Sequence, residues 1–299
     1  MSRFSTTIKT FLAIGLFVLA TVSPAHRVLA GACESPDVLR FSEIPAQDAR
    51  RAADYYEPIL VLLGRNTGKK VEMIVPRSYS STIEGLTGKW IDFGVLGPES
   101  YVIAHGKDKG IEVFATYFRQ ADGIQPAGAS YRSILITKKG SIYTTIESLK
   151  WASLALVDPA STSGSLIPEA IFPKDQQLPP LKQYFSRVIF SGRHDLSTLA
   201  VAEGKVDAAF VATSRFMEAI HTGTVKLDDF NVLWTSPPLP LDPFVFRSAL
   251  CEELKKQISE TFLTADQNQD GRRYLDNFHS ERFVPMTDAD YDVIRAVIK

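Results

Sequence analysis

The stretch WASLALVDPASTSGSLIPEAIF, residues 151–172, changes its pattern half-way. Its first part, WASLALVDP, is a short apolar run of the kind that makes a buried strand. Its last part spaces apolar residues as a helix does, and Pro168 limits where that helix can start. Proline has no N–H to donate and is comfortable only in a first turn, which predicts a helix over 164–172 that begins at Gly164 or Ser165. Ser161, Thr162 and Ser163 then fall on its N-cap side. A strand that turns straight into a helix through a short polar loop is the repeating unit of an α/β fold.

The same alternation runs outward in both directions. Upstream, 38–44 reads as a strand, 48–68 as an amphipathic helix ended by Gly68, 69–76 as a strand, 78–89 as a helix, 90–97 as a buried strand and 98–110 as a short helix opened by Pro98. Around the opening stretch, 131–140 reads as a strand, 144–150 as a capped short helix, 186–192 as a strand, 194–204 as a helix and 206–213 as a strand. A chain of 299 residues exceeds what one average core needs, so two α/β units in series fit its length. The proline-rich segment 232–250 is extended and suits a crossing between units, and helices follow at 251–265 and 288–298. If that crossing returns the chain to the first unit, one lobe is 31–134 plus 237–299 and the other is 135–236. Two crossings make a hinge, and such lobes place a ligand between them at the strand ends facing the cleft.

Composition bounds the function classes. With 45% hydrophobic and 22% charged residues the chain is an ordinary globular protein, neither disordered nor membrane-embedded. Arg3 and Lys9 precede the apolar run TFLAIGLFVLATV, which is too short for a comfortable transmembrane helix, and VLA at 28–30 offers the small or aliphatic residues of a signal-peptidase site. Residues 1–30 are therefore expected to be a secretory signal peptide. Acylation at Cys33 is the lesser option, because Ala30 stands where such sites prefer leucine. Without 1–30 the chain keeps 30 basic against 34 acidic residues, which leaves no basic field for nucleic acid. Cys33 and Cys251 are the only cysteines, and in an oxidising compartment they most simply form one disulfide, although spacing alone does not establish the geometry. There is no CxxC and no Cys/His cluster of metal type, so neither metal nor cofactor is expected.

The hydroxyl-rich loop has a plain reading and a sharper one. One of Ser161, Thr162 and Ser163 suffices to cap the helix. Three in a row, with free N–H groups and the positive end of a helix dipole where a strand ends, describe an oxyanion site.

DPASTSGSLIP (158–168) resembles the Ser-Thr-Ser-Gly segment of the phosphate/phosphite/phosphonate-binding periplasmic proteins that serve ABC importers. SYSSTIEGLTGKWIDFGVLGPESYV (78–102) and HDLSTLAVAEGKVDAAFV (194–211) resemble two further blocks of that family. The resemblance implies a two-lobed periplasmic-binding-protein-like fold, each lobe a mixed, mostly parallel sheet flanked by helices, the lobes joined by two crossing strands. It also implies a monomer without catalytic activity that closes on a small tetrahedral oxyanion and docks on an ABC permease. A sensor that presents its closed form to a membrane histidine kinase, tuned for example to an arsenic oxyanion, is the alternative within the same fold. By the same resemblance Tyr79, Ser161, Thr162, Ser163, His194 and Asp207 are the expected ligand contacts.

Departures from the family pattern bear on specificity. Glu99 stands where relatives selective for P–H ligands place an aromatic, and a carboxylate facing the cleft would demand a proton on itself or on the ligand. Ser100 and the amides after Gly97 are expected to add donors; Arg132 could lend charge, although an exposed arginine is the commoner fate there. Two other patterns carry less. DQNQDG (266–271) copies half a calcium loop but has Asn277 where the bidentate glutamate belongs, and reads as a turn joining helices. Ser163, His194 and Asp195 are the residue types of a secreted serine hydrolase, yet Ser163 lacks the glycines of a nucleophile elbow and Asp195 is adjacent to the histidine it would orient.

Overall fold

The computed structural model describes residues 33–298 together with Met1, so the expected signal peptide, apart from Met1, lies outside the described residues. Local chemistry sets the first elements. Strand β1 (Val38–Glu43) leads to Asp48, whose carboxylate accepts from the N–H groups of Arg50 and Arg51 and caps helix α1 (Ala49–Thr67). Gly68, at φ 67°, ends that helix in the left-handed conformation that glycine adopts without strain. Strand β2 (Lys70–Ile74), helix α2 (Tyr79–Thr87), strand β3 (Phe93–Val95), helix α3 (Pro98–Lys107) and strand β4 (Ile111–Arg119) follow.

The chain then crosses, through β5 (Ser130–Tyr131), into a second sheet. Its elements are β6 (Ser133–Lys138), β7 (Ser153–Leu156), short helices α4 (Ile167–Ala170), α5 (Phe172–Asp175) and α6 (Leu181–Tyr184), β8 (Arg187–Phe190), α7 (His194–Ala202), β9 (Ala208–Ala212), α8 (Thr213–His221) and β10 (Phe230–Thr235). A second crossing, through β11 (Leu239–Pro240), returns to β12 (Phe244–Arg247), α9 (Glu252–Leu263), α10 (Gln269–Asn277), β13 (Ser280–Pro285) and α11 (Asp292–Ile298).

The first sheet has the order β13-β4-β12-β3-β1-β2 and the second β10-β6-β9-β7-β8. Each is mixed: β1 runs parallel to β2 and β3, and β7 parallel to β8 and β9, while the strands of the returning chain, β12 and β13, pair antiparallel. The two crossings pair with each other, Leu239 opposite Tyr131 and Pro240 opposite Ser130, so the connection between the lobes is a two-stranded ribbon. Cys33 and Cys251 are joined by a disulfide, and Glu34 beside it exchanges backbone hydrogen bonds with Ala249 and Cys251, which ties the start of the described chain to the entry of α9.

Several elements differ from the sequence expectation. No element is expected at 111–119 or 269–285, where β4, α10 and β13 lie, and the helix expected at 144–150 is only a 3-10 turn, Glu147–Leu149. The calcium-like stretch is a 3-10 turn followed by Asn268, whose side chain accepts from the Asp270 N–H and caps α10.

The helix after β7 starts earlier than Pro168 was expected to allow. It opens with a wide π turn, Thr162–Leu166, capped by Ser161, and α4 continues from it. Pro168 cannot donate to the carbonyl of Gly164, and in the wide turn Ile167 donates to Thr162 rather than to Ser163. Two carbonyls are thereby left over, and both are used: Ser163 accepts from Ser133 Oγ (2.6 Å) and Gly164 from the Val157 N–H (3.0 Å). The proline is accommodated by widening the turn, and the freed groups stitch the loop to β6 and to the end of β7.

Candidate functional site

Side chains from both lobes and from the crossings meet around one small cavity of about 10 Å3, lined by Ile44, Ala46, Tyr79, Gly97, Tyr131, Ser161, Thr162, Ser163, His194, Ala212, Ser214, Arg215 and Asp242. Most of these positions are helix starts. Tyr79 is the first residue of α2, Gly97 caps α3, Ser161 caps the π turn, His194 begins α7 and Ser214 lies in the first turn of α8. Five helix N-termini, each following a strand, therefore border one small space with their positive dipole ends. That is an environment for an anion.

The hydroxyls complete it. The Tyr79 hydroxyl is buried and has no hydrogen-bond partner, and burial keeps the phenol protonated well above its ordinary range, so it is a donor. Thr162 Oγ1 accepts from the Glu99 N–H across the lobes (2.7 Å), which leaves its own proton to be given elsewhere. Ser161 Oγ accepts from the Gly164 N–H (3.2 Å) and is the cap. Gly164 is required by contact: a Cβ there would stand 2.4 Å from Val157 Cγ2. His194 is pushed down to about 3, first by burial and then by the nearby charge of Arg215. Its Nδ1 accepts from the Ala212 N–H (3.2 Å), so the neutral ring carries its proton on Nε2 and has one donor left.

The cavity's one lining cation is already committed. Arg215 is nearly fully buried and donates to Glu43 (2.8 Å), Asp242 (3.1 Å) and Glu218 (3.1 Å). Glu218 also receives Arg119 (3.0 Å). Burial raises the Glu43 and Asp242 carboxyls despite the pull of Arg215, whereas at Glu218 burial is outweighed by Arg215 and Arg119 together and the carboxyl is lowered. Glu43 and Arg119 belong to strands of the first sheet and Arg215 and Glu218 to α8, so the network spans the lobes.

Five of the expected contacts, Tyr79, Ser161, Thr162, Ser163 and His194, line this cavity. Three do not. The Ser100 hydroxyl donates to the Ala160 carbonyl (2.7 Å) and serves as a bridge between lobes. The Glu99 backbone makes the bridge to Thr162, while its carboxyl is buried away from the cavity lining with Oε2 unpartnered; burial first, then the charges of Glu169 and Asp158, push it up to about 8. At neutral pH the proton therefore sits on Glu99 itself. Asp207 accepts from the Ser153 N–H and hydroxyl (both 2.7 Å) and fastens the start of β7 to β9, outside the cavity. Arg132 likewise donates to the Ser236 carbonyl (2.6 Å). The hydrolase arrangement does not assemble around His194, because Asp195 is paired with Arg193 (2.9 Å) and the histidine's Nδ1 is held by a backbone amide.

Sequence reasoning missed Tyr131, Ser214, Arg215 and Asp242. Tyr131 and Asp242 come from the two crossings, where proline and extended pattern signal only a connection. Arg215 sits three residues past the end of β9, and a strand end followed by a helix start is the one signal that pointed to it.

Residues 41–291 match the family described as "ABC transporter, phosphonate, periplasmic substrate-binding protein". The chain is 29% identical over 286 residues to the phosphonates-binding periplasmic protein of Escherichia coli (strain K12), covering 94% of this chain and 80% of that one. It is 26% identical over 312 residues to the phosphate-import protein PhnD of Mycolicibacterium smegmatis, covering 93% and 94%. Among solved structures it is similar to a binding protein component of an ABC phosphonate transporter from Pseudomonas aeruginosa, with TM-score 0.80 and 26% identity over 87% of this chain and 85% of that one.

Proposed function

This chain belongs to the periplasmic substrate-binding proteins of phosphonate ABC transporters, and from that premise we propose that it captures a small tetrahedral phosphorus oxyanion, phosphate, phosphite or a phosphonate, in a form that still carries a proton. The observation that carries this reading is the buried, unpartnered Tyr79 hydroxyl at the meeting point of five helix N-termini. An orphaned buried donor is expensive to keep unless something regularly accepts from it. Ser161, Thr162, Ser163 and His194 Nε2 supply further donors around the same space. Asp242 supports the protonation state: a carboxylate in an anion site repels a dianion but accepts from a P–OH group.

Binding would proceed by closure. One lobe would carry the first sheet and the other the second, from Ser133 to Thr235, and only when they meet can Tyr79 and the Gly97 turn reach the same oxyanion as the Ser161–Ser163 loop. A single chain supplies every wall of the cavity, which suits a monomer. Export through residues 1–30 would deliver the protein to the periplasm, where its closed form docks on a membrane permease and the site does no chemistry on its ligand.

Calorimetry of the exported protein against phosphate, phosphite, methylphosphonate, arsenate and sulfate tests this. We expect binding of one or more of the phosphorus anions, rejection of sulfate, which has no proton for Asp242, and relaxed rejection in Asp242→Asn. Ser163→Ala should weaken binding modestly. No binding by any member of the panel would overturn the reading.

A further inference from the structure

Helix α8 carries Arg215, Glu218 and His221 at three-residue spacing, which places them along one face. The first two meet the first lobe through ion pairs, Arg215 with Glu43 at 2.8 Å and Glu218 with Arg119 at 3.0 Å. At the outer end of the row, His221 Nε2 stands 3.4 Å from Asp122 Oδ1, and its ring stacks on that of His279 with centroids 3.9 Å apart. One ligand-type atom from each of Asp122, His221 and His279 lies within 4.8 Å of the others. We propose that these three side chains form a binding site for a divalent transition metal ion of the zinc type, held between the two lobes beside the first crossing.

The donor set argues for that class of ion. Two imidazoles and one carboxylate suit Zn2+, Ni2+ or Cu2+, whereas Ca2+ and Mg2+ take oxygen ligands. Around a tetrahedral ion with bonds of about 2.0–2.2 Å, neighbouring ligand atoms stand roughly 3.3–3.5 Å apart. The His221–Asp122 separation already has this value, and His279, whose ligand atom lies within 4.8 Å of the other two, must turn out of its stack to reach it. The supporting backbone is fixed on both sides. Asp122 sits in a turn closed by two hydrogen bonds with Gln125 (3.0 and 2.8 Å). His279 donates to the Asp276 carbonyl (3.1 Å), accepts from the Gln120 N–H (2.9 Å), and is held at φ 46°, a strained conformation for a residue other than glycine. His221 is partly exposed, so an ion can enter and keep water as its fourth ligand.

The three ligands are far apart in sequence: one follows β4, one ends α8 and one precedes β13. A bound ion would therefore clip α8 of one lobe to the other lobe, at the end of the same row of contacts that begins in the cavity. The site does not depend on which oxyanion the cavity takes.

The test uses untagged, exported protein stripped with chelator, in phosphate-free buffer, titrated with zinc chloride by calorimetry. One Zn2+ per chain is expected, with affinity reduced at least tenfold in His221→Ala and in His279→Ala, and with methylphosphonate binding of the metal-free variants unchanged. Should either variant fail to fold, cobalt(II) added to the unaltered protein reads the same site, and a visible spectrum of tetrahedral N/O type is expected. Absence of stoichiometric Zn2+ binding, Zn2+ binding that survives both substitutions, or a cobalt spectrum of the aqueous ion would each overturn the proposal, whatever the outcome for the oxyanion.

Discussion

Tyr79 and Glu99 are both buried and both incompletely hydrogen-bonded, yet they make opposite predictions. The Tyr79 hydroxyl faces the cavity, so Tyr79→Phe removes a donor that the empty protein does not use. Thermal stability without ligand should be unchanged or slightly higher, while oxyanion affinity falls about tenfold to a hundredfold, the value of one hydrogen bond to a charged acceptor. Calorimetry beside a melting curve checks both halves. Glu99 acts on stability. Its carboxyl is ordinary in the unfolded chain, near 4.5, and pushed up to about 8 in the folded one. Its favourable contribution is fully present below about pH 4.5 and is lost as pH rises through 8, because the unfolded state sheds the proton first. Unfolding free energy should decline between pH 5 and pH 8.5 on the order of a few kcal/mol, read as a falling melting temperature, and Glu99→Gln should flatten that decline. An unchanged pH profile in the variant would show that the Glu99 carboxyl is hydrated and not buried as described.

At the scale of an element, the π turn of Thr162–Leu166 joins packing to function. Gly164 lies so close to Val157 that alanine there would place a Cβ 2.5 Å from the Val157 Cβ. Gly164→Ala should destabilise by about 1–3 kcal/mol, the usual cost of overpacking, and weaken oxyanion binding by shifting the hydroxyls beside it. Val157→Gly, which removes the Cβ that alanine would keep, should recover part of the loss, and additive effects in the double variant would argue against the contact. The turn also marks how far the sequence could be read. Ser161, Thr162, Ser163 and Tyr79 were visible because strand end, cap and helix start are local events within a few residues. The wide turn was not, because it depends on Ser133 and Val157 taking the carbonyls that Pro168 leaves free. Strands β4, β12 and β13 were obscure for a similar reason: β12 and β13 each pair antiparallel with β4 from far along the chain, and nothing local in 111–119 or 280–285 names the partner. Asp207 had the right residue type in a matching block, but its neighbour Ser153 consumes it.

Across the whole molecule, the proposed closure would rest in part on charges that do not line the cavity. Arg119 and Glu218 are 3.0 Å apart, 4% and 9% exposed, and contributed by different lobes. Neither lines the cavity. When the lobes are apart, water can solvate both groups; when they meet, each is desolvated and needs the other. Arg119→Met leaves Glu218 with Arg215 alone, in a network where Arg215 must also serve Glu43 and Asp242. Removing one partner of a buried pair costs about 3–5 kcal/mol, and the share of that cost confined to the closed form lowers the fraction of molecules competent to hold ligand. The expected result is oxyanion affinity at least tenfold weaker, although no contact to the oxyanion has changed, together with a larger radius of gyration by small-angle scattering at subsaturating ligand. Arg119→Met combined with Glu218→Leu removes both charges at once, and a well-packed apolar pair can match a buried ion pair. The double variant should therefore recover much of the affinity that the single one loses. Equal affinities for the unaltered protein and the single variant would mean that the pair is equally satisfied in the open and closed forms, and that closure is set at the cavity alone.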